Sequence, residues 1–144
     1  MTKSPPERPL GLQLRVLLPD PPGGPPAMGP GKAELLEGIR DTGSIAAAGR
    51  RMGMSYKRAW FLVEAMNGTF RGALVEASKG GTGGGRAALT PLGATILAAY
   101  RRLEQLAAEA GAAELAVMRE ALAPEREGQP ADATQTSQPK PAAS

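Results

Sequence analysis

The run Ala46-Ala47-Ala48-Gly49, followed by Gly53, is the stretch that most restricts the fold of this chain. Side chains this small let one helix lie close against another, and Gly53 tolerates the left-handed backbone that a tight turn requires. Met52 and Met54 flank that turn as apolar plugs. Ser44 is a good cap for a helix over Ile45 to Met52, and Ser55 for the next, running to about Asn67. On the latter, Ala59, Leu62, Val63 and Met66 form an apolar stripe. Two short helices joined in this way make a helix-turn-helix.

The flanking sequence extends that motif. Leu12, Leu14 and Val16 alternate within residues 12–18 and would share one face of a half-buried strand. Pro19 to Gly31 is rich in Pro and Gly and reads as a loop. Lys32 to Arg40 reads as a first helix, with Leu35, Leu36 and Ile39 at helical spacing, ended by Asp41-Thr42-Gly43. Ala73 to Ala77 and Ala87 to Leu89 are short strands on either side of a glycine-rich tip, hence a hairpin.

Thr90-Pro91 is a cap followed by a proline in the first helical position. From there Leu92, Ile96, Ala99, Leu103, Leu106, Ala110, Ala113 and Val117 follow a heptad spacing, so a long helix is expected to about Leu122, ended by Pro124. The expected fold is mainly α with a small β-hairpin: a winged helix-turn-helix plus a long C-terminal dimerisation helix. Its divisions are a flexible N-terminus at 1–9, the winged helix-turn-helix at 10–90, the dimerisation helix at 91–123 and a disordered tail at 124–144, where Pro, Ala, Gln, Ser and Thr dominate.

Composition narrows the function. The chain has no histidine and no cysteine, which excludes Ser-His-Asp chemistry, zinc–histidine sites, disulfides and thiolate metal sites. Glu64 and Glu76 fall in no recognisable catalytic motif, so no enzyme is expected, and no cofactor or metal. The glycine run lacks the Gly-Lys-Ser/Thr ending of a phosphate-binding loop. No apolar run approaches the ~20 residues that span a bilayer and no signal-peptide core is seen at the start, so a cytoplasmic location is the default. Hydrophobic residues make up 42% of the chain but aromatics only 3%, so the core should be small and completed by a second subunit.

Charge is unevenly placed. Lys32 to Arg102 carries 11 basic and 5 acidic residues, whereas Leu103 to Ser144 carries 3 basic and 7 acidic ones. A basic middle beside an acidic end points the middle at a polyanion. The second helix of a helix-turn-helix enters the major groove with its leading residues at base edges, here Ser55, Tyr56, Lys57 and Arg58. Ser55 and the free amides of the first turn suit a phosphate, and Arg58 suits a guanine. Lys79 and Arg86 bracket the glycine-rich tip and suit phosphates. With Ser44 and Thr82, these make the candidate DNA-binding set; Leu92, Ile96, Ala99, Leu103, Leu106 and Ala110 make the candidate dimer stripe. Trp60, Leu62 and Val63 read as core. Tyr56 is open between core packing and phosphate contact, and Arg50 and Arg51 between a solvated face and phosphate contact. Arg101 and Arg102 read as surface charges. Phe61 falls on the outward face, open between a thymine methyl and a neighbouring element.

The segments Asp41-Thr42-Gly43-Ser44-Ile45, Gly53-Met54-Ser55-Tyr56-Lys57-Arg58-Ala59-Trp60, Met66-Asn67, Leu74-Val75-Glu76, Gly80-Gly81-Thr82-Gly83-Gly84-Gly85 and Leu89-Thr90-Pro91-Leu92-Gly93 together resemble the N-terminal DNA-binding domain of ModE-type molybdate-responsive regulators, over about residues 10 to 120. That fold is related to the helix-turn-helix of LysR-type regulators. The resemblance implies a homodimer on a palindromic operator of double-stranded DNA, with Ser55, Tyr56, Lys57, Arg58, Lys79 and Arg86 in its recognition-helix and wing positions. Full-length members carry C-terminal molybdate-binding modules, and no bound molybdate is expected in this chain. The alternative function is a winged-helix protein-interaction module working with a separate ligand-sensing partner.

Overall fold

A computed structural model describes residues 10–18, 27–78 and 85–124. The described elements are β1 (Val16–Leu17), β2 (Ala27–Met28), α1 (Pro30–Thr42), α2 (Ile45–Arg51), α3 (Tyr56–Thr69), β3 (Val75–Ser78), β4 (Arg86–Leu89), α4 (Pro91–Ala110) and α5 (Ala112–Glu120). This is a winged helix-turn-helix with a long helix appended. The expected N-terminus at 1–9 and tail from 125 onward lie outside the described residues, as do Lys79 and Thr82.

The three helices of the head pack through small residues. A methyl placed on Gly38 of α1 would stand 2.9 Å from the Cβ of Ala48, and one on Gly49 would stand 3.1 Å from the Cβ of Ala59 in α3. Larger side chains at these crossings would push the helices apart. Ser44 caps α2, its Oγ accepting from the Ala47 N–H at 3.0 Å. Gly53 takes φ +74° in the turn, and the Met54 N–H returns to the Gly49 carbonyl at 2.9 Å. The left-handed residue read from the sequence is therefore where the turn needs it.

Around this crossing the core gathers Leu35, Leu36 and Ile39 from α1, Ile45 and Ala48 from α2, and Ala59, Leu62, Val63 and Met66 from α3. Leu74, Val75 and Ala87 of the wing and Leu97 and Tyr100 of α4 close it. Trp60 is half-buried at its margin rather than inside it, because its ring turns toward the wing.

The stretch Pro19 to Gly31 departs from the loop reading at its end. Ala27–Met28 forms β2, antiparallel to β1 with Val16 opposite Met28, and α1 already starts at Pro30. Proline fits the first helical turn because its missing N–H would have no partner there. Pairing with β1 and burial of Met28 override the breaker composition.

The wing is an antiparallel pair, with Val75 opposite Leu89 and Ser78 opposite Arg86. Its base is tied on two sides. Asn67 near the end of α3 accepts from the Leu74 and Val75 N–H groups through Oδ1, at 2.8 and 3.1 Å, and donates from Nδ2 to the Val75 carbonyl. Thr90 donates to the Ala73 carbonyl at 2.7 Å and accepts from the Gly93 N–H at 2.9 Å, capping α4. A Cβ on Gly93 would collide with the Leu74 carbonyl, so α4 begins as close to β3 as a backbone allows.

The long helix differs from expectation in one respect. It is interrupted at Gly111, which ends α4 and precedes α5. Glycine is a poor helix former, and at this point no core contact offsets that cost. Leu92 and Ile96 pack against the chain's own core, whereas Leu103 and Leu106 are exposed, as are Ala99 and Ala110. Among the described residues no helix is long and apolar enough to cross a membrane.

Candidate nucleic-acid interface

The leading turn of α3 is presented to solvent. Ser55, Tyr56, Lys57 and Arg58 are all exposed, Tyr56 at 58%. The face behind them, Ala59, Leu62 and Val63, is buried, so the helix is anchored while its cationic edge stays free to meet a partner. Ser55 Oγ accepts from the Arg58 N–H at 3.0 Å. The hydroxyl is thus committed as an acceptor to the cap, and what α3 offers an anion is the positive end of its dipole and the remaining first-turn amides.

Beside this turn runs a cleft of about 380 Å³ between the helix-turn-helix and the wing. Ser44 at the head of α2, Tyr56 and Trp60 on α3, and Ser78 and Arg86 on the wing all line it. Sequence reasoning named Ser44, Tyr56 and Arg86; the structure brings them to one groove. Tyr56, open between core and contact on sequence, stands outside the core with its ring edge-on to Trp60, centroids 6.3 Å apart and planes at 82°. The wing therefore lies on the same side of the molecule as the exposed edge of α3.

Two further cations lie near the Arg58 end of α3, Lys32 directly and Arg15 through Lys32, and sequence reasoning missed them. Lys32 at the start of α1 has its ammonium pKa lowered, first by burial and then by repulsion from Arg15 and Arg58. Like charges drawn from β1's approach, α1 and α3 thus share one field. A count of Lys and Arg along the chain could not reveal it, since Arg15 and Arg58 are distant in sequence.

Arg101 is not the plain surface charge expected. It forks onto Glu37 of α1 at 2.7 and 2.8 Å and reaches Glu104 at 2.8 Å, joining α4 to α1. Tyr100, unremarked in the sequence reading, donates its hydroxyl to the Leu14 carbonyl at 2.7 Å. Neither residue faces the cleft, and both serve the placing of α4. Among the described residues no group of His, Cys, Asp or Glu could hold a metal ion.

Fold and site together define a winged helix-turn-helix protein in which one cleft brings Tyr56 of the recognition helix and Arg86 of the wing together. No family model matches the chain. Over 77 residues it is 48% identical to the molybdenum-pterin-binding protein MopB of Rhodobacter capsulatus, a match covering 54% of this chain and 28% of MopB. Over 71 residues it is 45% identical to the molybdenum transport protein ModE of Herbaspirillum seropedicae, covering 49% and 26%. Over 77 residues it is 39% identical to the DNA-binding transcriptional dual regulator ModE of Escherichia coli (strain K12), covering 54% and 29%. About half of the chain is thus similar to ModE-type proteins, in keeping with the resemblance read from its motifs and with a ModE-type N-terminal domain. The chain matches less than a third of the length of these relatives.

Proposed function

We infer that the chain is a sequence-specific DNA-binding transcription regulator acting as a homodimer. The observation that carries this reading is a shared side: Tyr56, at the head of the exposed Tyr56-Lys57-Arg58 edge of α3, and Arg86 of the wing line one cleft. In this reading α3 enters the major groove, Arg58 meets a base edge, and the wing, with Arg86, grips the adjacent backbone. Lys57 and Lys32 add phosphate contacts. Lys79 and Thr82 are assigned to the wing contact on the sequence alone. Relatives named as transcriptional regulators support the reading.

The second copy is called for by α4 and α5. Leu103, Leu106, Val117, Met118 and Leu122 are exposed in a single chain, too many large apolar groups along one pair of helices for a solvated face. Pairing two copies along them covers these side chains and sets the distance between two recognition helices near one DNA turn, ~34–36 Å. Leu103 and Leu106 carry the seam, with Ala99 and Ala110 allowing close approach. Leu92 and Ile96, expected in the stripe, instead brace α4 against its own head.

The test is an electrophoretic binding series at increasing salt with sequences selected from a random DNA pool. About eight neutralised phosphates per dimer give a slope of log K against log salt of about −7. A slope near zero, or no binding at low salt, overturns the reading.

A further inference from the structure

Arg58 and Phe61 are neighbours on the outward side of α3, three positions apart and so adjacent on the helix surface. The Arg58 guanidinium carbon stands 5.6 Å from the centroid of the Phe61 ring, within cation–π range. Phe61 is 40% exposed and takes no part in the core, although Ala59, Leu62 and Val63 on the same helix do. The ring is therefore only partly covered and stands apart from the core cluster. Arg58 has no carboxylate partner among the described residues, since none of the ion pairs there involves it. Its backbone is fixed by the N–H to Ser55 Oγ. The ring is thus what restrains the guanidinium.

We propose that Phe61 is a specificity-determining positioning residue: its ring holds the Arg58 guanidinium ready for bidentate contact with a guanine edge. This rests on the DNA-binding reading above. An unrestrained arginine must give up much rotamer freedom when its fork docks on O6 and N7. Stacking against a ring three residues away removes part of that loss before the duplex arrives, as preorganisation does in any interface. Among the described residues no ring stands over Lys57, which remains a point charge suited to phosphate. The two adjacent cations therefore divide the work, one placing the helix and the other reading sequence.

The experiment uses the full chain and the sequence it selects from a random pool. Single base-pair variants of that site compete for wild type, Arg58→Ala, Phe61→Ala, Phe61→Trp and the Arg58→Ala/Phe61→Ala double variant. Arg58→Ala is expected to lose discrimination at one G·C pair by about tenfold or more. Phe61→Ala is expected to lose about two- to fivefold at that same pair and nowhere else, with an unchanged salt slope. Phe61→Trp retains discrimination, and the double variant is no worse than Arg58→Ala alone. In the free protein, NMR shows the Arg58 δ protons shifted upfield by the ring, a shift that Phe61→Ala abolishes. Phe61→Ala gives up a partly covered ring and melts somewhat lower, so binding is measured well below both transitions, and Phe61→Trp keeps the wild-type transition. Losses additive with Arg58→Ala, an even loss over all positions, a loss confined to an A·T pair, which marks direct contact with a thymine methyl, or no upfield shift each overturn the proposal. A wild-type protein that selects no sequence overturns the regulator reading itself and this proposal with it, and that result is distinct from intact selection indifferent to Phe61.

Discussion

Arg101 on α4 closes a two-bond fork on Glu37 of α1, so the long helix and the first helix of the head are held at one point by paired N–H···O contacts. The pair is half-buried, Glu37 at 29% and Arg101 at 35% exposure of their side chains. Together with the Tyr100 hydroxyl on the Leu14 carbonyl, it fixes how α4 leaves the head. If two heads are joined through α4, that angle sets where the second recognition helix meets DNA.

Arg101→Ala is expected to lower stability by about 1 kcal/mol at neutral pH, since a solvent-screened but bidentate pair lies at the upper end of exposed ion pairs. The Glu37 carboxyl is held below its ordinary value of 4.5, first by the hydrogen bond from Arg101, against an opposing effect of burial. An acid depressed in the folded state stabilises the fold above its unfolded pKa and loses that contribution as pH falls through its folded one. The difference between wild type and Arg101→Ala should therefore be full at pH 7 and shrink as pH is taken below about 4.5. Urea unfolding at several pH values measures it; a difference that grows in acid contradicts the assignment.

Asn67→Ala removes three hydrogen bonds at the base of the wing and leaves the amides of Leu74 and Val75 without that acceptor. Leu74 and Val75 are buried, so the loss should reach about 2–4 kcal/mol. Hydrogen exchange at Leu74 and Val75 should accelerate more than at Leu35 or Leu36. Equal acceleration at all four means that Asn67 acts on the whole head and not on the wing.

Gly93→Ala drives a methyl into the Leu74 carbonyl and should cost about 3 kcal/mol, although alanine is the better helix former. Ala94→Gly, at an exposed position one residue on, should cost only about 0.5–1 kcal/mol. Thermal melts of the two variants separate close approach from helix propensity. A Gly93→Ala protein as stable as wild type would show that α4 can move away from β3.

Leu103→Asp and Leu106→Asp bear on the dimer. Both side chains are about two-fifths exposed in one chain, so the head should fold normally in each variant. Sedimentation should show monomers, and operator binding should weaken by tenfold or more as the second half-site contact is lost. Unchanged sedimentation of both variants would move the seam to α5 and the residues just after it, where Val117, Met118 and Leu122 are exposed.

Much of this architecture was legible because local chemistry and global packing agree. Ser44, Ser55 and Thr90 cap the helices that their residue types predict, and Gly53 sits in the turn with positive φ. The exposed positions of Lys57 and Arg58 follow from the stripe opposite them, whereas Tyr56, at the stripe's edge, was settled only by the fold. What periodicity could not give was decided by distant partners. β2 exists because Val16 lies opposite Met28, a pairing invisible in a Pro- and Gly-rich run. Leu92 and Ile96 fit the heptad but pack at home, because a repeat identifies a face and not which surface covers it. Arg101 looked like any helix charge until Glu37, far off in sequence, was seen beneath it.

The junction at Leu74 has a consequence for how such a chain can be reused. Its backbone is bound by Asn67 from α3, by the Thr90 N–H and by the abutting Gly93, so the ends of three elements converge on one residue. Parts knitted at one knot travel together. Anything joined beyond Gly111, whether a sensor, an enzyme or a fluorescent tag, attaches at the opposite end of α4 from that knot. The head is in this sense a portable cassette, and its modularity is written into a backbone contact that admits no side chain.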